Sequence, residues 1–307
     1  MQTFRSDLIE GLSASPKSLS PKWFYDAEGS RLFEEITRLD AYYPTRQETA
    51  LLRQTIPLWL DLIGPEAVLV ELGSGASEKT RILLDAISDL AAYVPLDISV
   101  TALNAAADAL RDDYPELDIR PVSGDFEHLP DLPADLPTGR RIGFFPGSTI
   151  GNLDTDAAIE LLAASRRMLG HNSLFILGVD LIKDRDTLEA AYDDQQGVTA
   201  AFNVNLLHRA NRELGTDFDI DSFRHHAVWN EAEARIEMHL ESLKDQTVKL
   251  DNHRFHFKAG ETLHTENSRK FDRARLVELV EAGGWALADM RVSTAPYVAL
   301  ALLKPKE

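Results

Sequence analysis

The chain has 307 residues, 44% of them apolar, which is enough for one large buried core or two smaller ones. Its 50 acids against 32 bases leave a formal charge of −18, which argues against a general nucleic-acid or anionic-membrane binder, because both partners need positive surface. It has no cysteine, so disulfides, thiolate metal sites and cysteine nucleophiles are excluded.

The opening stretch, MQTFRSDLIEGLSASPKSLS, carries no signal-peptide apolar core, and no window approaches about 20 apolar residues. A soluble, cytoplasmic protein is expected. Residues 1–46 form a polar and aromatic lead-in, dense in Trp, Phe and Tyr. The texture then changes. AVLVEL (67–72) is a continuous apolar run suited to a buried parallel strand, and a helix is expected to follow from Ser77. YVPLDIS (93–99) reads as a second strand, with Ser99 placed to cap the next helix. LDIRPVSGDF (117–126) reads as a third strand, RRIGFFPGSTIGNL (140–153) as a fourth with its loop, DAAIELLAASRRML as a helix, and SLFILGVDLI (173–182) as a fifth strand. This alternation predicts a parallel sheet with helices on both faces, and ligands of such sheets bind beyond the carboxyl ends of the strands.

Residues 183–270 break the rhythm. A helical stretch, DTLEAAYDDQQGVTAAFNVNLLHRANREL, precedes strand-like FRHHAVWN, ARIEMHLESLKDQTVKL and HRFHFKAGE, whose alternation suits an antiparallel sheet. From 271 the first pattern resumes, with helical DRARLVELVEAGG and two closing strands, WALADMRVS and YVALALLKP. The expected division is a core of 47–182 with 271–307, and a second α+β lobe of 1–46 with 183–270.

Gly73 and Gly75 permit a tight turn and close approach of backbone to a ligand. A dinucleotide fingerprint needs a third glycine where Glu78 stands, and no P-loop lysine follows. Asp97, at the expected end of the second strand, can accept from ribose hydroxyls, which suits NAD or S-adenosylmethionine. Asp125-Phe126 can take an adenine amino proton and pack on the base. Glu71, Asp97 and Asp125 crowd the site with negative charge and no basic cluster serves phosphate, so a cationic sulfonium nucleoside is the better match. Helix capping by Asp97 and Asp125 is the simpler alternative. His225-His226 face opposite ways on a strand, and neither they nor His253 and His256 form a metal motif, so no metal is expected.

Six runs together resemble one family: PKWFYDAEGSRLFEEITRLDAYYPTR, VELGSGASEKTR, GDFEHL, GSTIGNL, AYDDQQGVTAAFN and HTENSRKF, spanning 21–271 in order. They resemble the histidine Nα-methyltransferases of ergothioneine biosynthesis. The resemblance implies an α/β, Rossmann-like class I S-adenosylmethionine (SAM) methyltransferase core with a second, substrate-binding α+β lobe. It implies trimethylation of the α-amine of L-histidine, a small-molecule substrate, to hercynine; a monomer is the default expectation. Gly73, Lys79, Asp97, Asp125, Phe126 and Gly147 then match cofactor positions, with Lys79 reaching toward the methionine carboxylate. Tyr42, Asn152, Tyr192, Met238, Glu266, Asn267 and Ser268 match the substrate set. Within it, Asn152 and Tyr192 hold the amino acid's backbone groups, Glu266 and Ser268 read the imidazole, and Met238 is a pocket wall. Asn267 departs from the apolar residue expected between the two readers. Tyr25 and Tyr42 are the candidates beside the reacting amine; Trp23, Phe24 and Phe33 are expected to be core. A methyltransferase for another amino acid such as tryptophan, an NAD-dependent oxidoreductase and a non-catalytic binding protein are the alternatives.

Overall fold

A computed structural model describes residues 3–75, 78–125 and 128–306, without the side chains of Glu78 and Ala102. Its contacts divide the chain into two compact units, Met1–Tyr43 with Lys183–Arg269, and Pro44–Ile182 with Lys270–Glu307. The boundaries fall at 43/44 and 269/270 rather than the expected 46/47 and 270/271. The first shifts because the helix Tyr43–Ile63 begins there and continues into the second unit.

The unit 44–182 with 270–307 is built on a seven-stranded sheet. From edge to edge its strands are Trp285–Val292, Val298–Pro305, Ser173–Asp180, Arg141–Phe145, Val68–Leu72, Ala92–Asp97 and Val122–Ser123. The middle strands pair in parallel, and Val298–Pro305 runs antiparallel to both of its neighbours. Val68–Leu72 and Ser173–Asp180 are buried along their whole length, as strands covered on both faces must be. Helices Thr155–Leu169 and Arg273–Ala282 start where Asp154 and Asp272 accept backbone N–H groups of Ala157 and Arg275, each at 2.8 Å. They pack with Phe175 and Trp285, whose rings stack at 5.4 Å, while the Trp285 indole donates to the Leu162 carbonyl. The helix Glu78–Ala86 follows the glycine turn; its expected start at Ser77 lies outside the described residues.

The third strand is shorter than 117–126. Only Val122–Ser123 pairs in the ladder, with an isolated bridge between Tyr93 and Ile119. Pro121 has no N–H to give the ladder and interrupts it.

The other unit holds a four-stranded sheet, ordered Lys17–Ser18, Thr262–Arg269, Arg235–Ser242 and Phe223–Asn230, and a separate hairpin of Gln246–Leu250 with His253–Phe257. The expected single stretch 234–250 is therefore two strands in different sheets. Likewise, the expected long helix is two, Arg185–Tyr192 and Val198–Leu214. Gly197 at φ 75° breaks it, and the Asp194 carboxylate caps the second piece through the N–H groups of Val198 and Thr199. Helix Ala27–Arg38 packs on Val198–Leu214, where Asn205 donates to the Asp26 carboxylate at 2.9 Å.

The strand Thr262–Arg269 was not evident in the sequence. Its register slips between His264 and Glu266, so that Leu263 opposes Leu240 while Glu266 opposes Met238. That bulge at Thr265 breaks the period-two pattern by one residue.

Candidate active site

In the parallel-sheet unit, the candidate cofactor residues stand at the carboxyl ends of neighbouring strands. Val68–Leu72 leads into Gly73 at φ 68° and Gly75 at φ 46°, conformations that favour glycine. The N–H groups of Gly73 and Ser74 both donate to the Leu96 carbonyl, at 2.8 and 3.1 Å. Gly75 donates to one Asp97 oxygen at 3.2 Å and Ser99 to the other at 2.9 Å, so one carboxylate ties the glycine turn to the start of helix Val100–Asp113. Asp97 therefore braces the turn ahead of that helix, and its oxygens keep lone pairs for a ligand hydroxyl. Asp125 follows the last strand and bridges to His128; Phe126 lies outside the described residues.

Beneath the turn, Glu71 is fully buried. Tyr93 and Thr80 donate to its Oε2 at 2.5 and 2.8 Å, while its Oε1 and the Ser74 hydroxyl have no hydrogen-bond partner among the described residues. Burial pushes the Glu71 carboxyl up to about 7, against the lowering influence of the Tyr93 and Thr80 hydrogen bonds.

Gly147 and Asn152 share the loop after Arg141–Phe145. Gly147 has φ 81°, and Asn152 closes the short helical turn Thr149–Asn152. Ser148 adopts a left-handed conformation, and its hydroxyl accepts the Asp180 N–H at 2.9 Å. Asp180 in turn pairs with Lys270 at 2.9 Å, both buried.

Lys79 does not stand alone. Its ammonium donates to Glu48 Oε2 at 2.5 Å, and the Gly147 N–H donates to both Glu48 oxygens at 2.9 Å each. The sequence reading passed over Glu48, and no local pattern marks it, since its partners lie 31 and 99 positions away.

The candidate substrate residues other than Asn152 belong to the unit of residues 1–43 with 183–269. Tyr25, Phe33, Tyr42 and Tyr192 form a chain of edge-to-face rings, at 5.7, 6.4 and 6.0 Å between successive centroids. Tyr25 is 45% exposed, whereas Tyr42 and Tyr192 are 9% and 8% exposed. Phe24 is core, as expected; Trp23 is partly buried, stacked on Phe4, and its indole donates to Asp7. The Tyr192 hydroxyl is 2.7 Å from the buried Ser268 hydroxyl. From the neighbouring strand, His225 Nε2 lies 2.8 Å from the Tyr192 carbonyl, and Asn203 donates to its Nδ1 at 2.9 Å, which leaves the proton on Nε2. The sequence offers His225 only as a rejected metal ligand, and it does not mark Asn203.

The bulge decides which side chains meet. Opposed residues of an antiparallel pair share a face, so Glu266 and Ser268 lie with Met238 and Ile236. Asn267 opposes Glu237 and lies on the other face. It is therefore not on the face that carries Met238, Glu266 and Ser268.

SAM can be tested against the cofactor residues. Where a side chain would stand at Gly75, no described atom lies within 4 Å. The turn offers two unsatisfied polar atoms, on Glu71 and Ser74, and a carboxylate, Asp97, at the strand tip. An adenosyl sulfonium with an amino-acid end suits that donor and acceptor set. Among the described residues no group of three or more His, Asp or Glu side chains gathers as for a metal, and no helix is long and apolar enough to cross a membrane.

Comparisons with known proteins bear on the family and the fold. A family described as histidine-specific, SAM-dependent methyltransferase matches residues 4–305. A histidine N-alpha-methyltransferase of Mycolicibacterium smegmatis is 47% identical over 92% of this chain and 89% of its own length. The protein of that name from Mycobacterium tuberculosis is 46% identical over 91% and 88%. A solved SAM-dependent methyltransferase from Clostridium acetobutylicum shares the fold, with TM-score 0.52 and 13% identity over 91% of this chain and 98% of that one. The oxidoreductase alternative is thereby removed: the chain has the class I methyltransferase fold and belongs to the family of histidine-specific, SAM-dependent methyltransferases.

Proposed function

We propose that this protein transfers methyl groups from SAM to the α-amine of L-histidine, three times, giving hercynine, the first step of ergothioneine biosynthesis. The observation that carries the reading is the face shared by Met238, Glu266 and Ser268, with the Tyr192 hydroxyl bonded to Ser268, in a chain of this family. The unit 44–182 with 270–307 is the SAM-binding core in this reading, and the unit 1–43 with 183–269 binds substrate.

The bound cofactor supplies an electrophilic methyl on a sulfonium, and the rest falls to the chain. Gly73 and Gly75 let backbone approach the ligand, Asp97 accepts from ribose hydroxyls, and Asp125 serves the adenine; Phe126 is proposed to pack on the base. Lys79 and Gly147 receive the amino-acid end. Glu266 accepts the N–H of one imidazole nitrogen, and the Ser268–Tyr192 hydroxyl pair offers the remaining proton and lone pairs to the other. Amino acids without both nitrogens leave these groups unpaired and are rejected. Asn152 and Tyr192 hold the backbone groups.

The amine must be neutral to carry a lone pair. Burial disfavours its ammonium form, and so does a neighbouring cation. Tyr25 and Tyr42 orient it through their hydroxyls. As methyls accumulate the group loses its N–H donors and keeps its charge, and aromatic faces stabilise such a cation by about 0.5–2 kcal/mol. Holding both reactants in line supplies most of the acceleration. The protein works as a cytoplasmic monomer without a metal. Incubation with labelled SAM and a panel of amino acids tests the reading: label enters histidine, and preferential labelling of tryptophan would replace it with the rival substrate.

A further inference from the structure

At the strand tips, the Glu48 side chain joins two candidate cofactor positions, Lys79 and Gly147. Only 3% exposed, it rises from helix Tyr43–Ile63. Its carboxylate takes the Lys79 ammonium at 2.5 Å and the Gly147 N–H on both oxygens at 2.9 Å. The fold makes room for it. A Cβ built at Gly178, in the middle of strand Ser173–Asp180, would fall on Glu48 Oε1, so a glycine there lets the carboxylate lie against the sheet. A Cβ at Gly147 would stand 3.6 Å from Lys79 Nζ, so the ammonium and the glycine backbone face one small space. Helix 43–63, helix 78–86, the 147–152 loop and the strand 173–180 thus meet at one carboxylate.

A buried lysine whose charge is meant for a ligand carboxylate must be held at the right place without being consumed. The ion pair with Glu48 also leaves the pocket wall close to neutral, which suits a zwitterionic amino-acid end better than a lone cation would.

We propose that Glu48 is a positioning residue for the methyl donor: it fixes the Lys79 ammonium and the Gly147 backbone in the arrangement that receives the donor's amino-acid end. This rests on the reading of SAM as the donor. The hydrogen-bond partners of Glu48, Lys79 and Gly147, are both candidate cofactor positions, and neither is a candidate histidine contact.

The test is calorimetry of SAM binding to wild-type and Glu48→Gln protein, with steady-state KM values for both substrates. Glutamine keeps an acceptor for Gly147 but removes the charge that holds Lys79. The SAM dissociation constant and KM should rise fivefold or more, while the histidine KM at saturating donor changes less than threefold. A purely structural role would weaken both substrates together. If the glutamine variant does not fold, Gly178→Ala, which displaces the same carboxylate without removing it, is read by the same criteria. A SAM affinity within fivefold of wild type, or a histidine KM that moves threefold or more, overturns the proposal. So does failure of both variants to fold, which would make Glu48 a bolt of the structure. Wild-type protein that binds no SAM would instead overturn the donor reading itself.

Discussion

In the parallel-sheet unit most candidate residues sit on turns that directly follow strands, and main-chain N–H groups take part in holding them: those of Gly75 and Ser99 donate to Asp97, and that of Gly147 donates to Glu48. In the antiparallel unit they are spread over a sheet face, a helix end and a cluster of rings, and side chains hold them: Tyr192 by Ser268, Tyr25 and Tyr42 by Phe33. The first arrangement comes from local chain direction. The second comes from pairing between distant segments, so a single register slip re-aims it. Parallel strand tips thus give a general place for a nucleoside, while the antiparallel face is where a particular substrate can be specified.

The sharpest way to break the first unit is at its buried ion pair. Lys270→Met leaves Asp180 buried without the Lys270 ammonium, beside the 147–152 loop. A loss of about 3–5 kcal/mol is expected in chemical unfolding. A loss under about 1 kcal/mol would show that the pair contributes little.

The units should also answer pH in opposite senses. Glu71 is raised by burial to about 7 from 4.5, so its contribution to stability is complete below 4.5 and is lost as pH rises through 7, by about 3 kcal/mol in total. His225, His239 and His264 are all lowered from 6.5 by burial, so their contribution is present above 6.5 and is lost as pH falls through their folded values. Unfolding curves of Glu71→Gln and His225→Gln across pH 4–9 separate the two: the first should remove a fall in stability as pH rises from 4.5 to 7, the second a fall as pH drops below 6.5. A cationic donor near Glu71 should lower its carboxyl, so SAM binding near pH 7 should release protons, seen as a dependence of the binding enthalpy on buffer.

Ligand affinities sharpen the contrast further. Glu266→Ala should weaken histidine by about 1.5–3 kcal/mol, roughly tenfold to a hundredfold, and leave SAM nearly unchanged. Asp97→Asn should do the reverse. Equal losses for both ligands in either variant would erase the division of labour. Smallest is Tyr192→Phe, which strips the Ser268 hydroxyl of its 2.7 Å partner and should cost about 1 kcal/mol of stability, read as a small drop in melting temperature.

These differences also explain what the sequence made legible. Continuous apolar runs, glycine turns and capping acids are local signals, so Val68–Leu72, Ser173–Asp180 and the helices opened by Asp154 and Asp272 are readable in one dimension. The third strand was overread because its apolar pattern hid the effect of Pro121. Thr262–Arg269 is hidden because its bulge breaks the alternation, whereas Asn267 enters with Glu266 and Ser268 through the family resemblance, which does not tell the two strand faces apart. Glu48, Asn203 and His225 act through partners far along the chain, and nothing in their own neighbourhoods reveals them.

The most direct test is tandem mass spectrometry of L-histidine after incubation with the protein and SAM. The account predicts products with one, two and three added methyls, all on the α-nitrogen and ending as the trimethylated betaine. Histidine recovered unmodified, or methylated on an imidazole nitrogen, would contradict it.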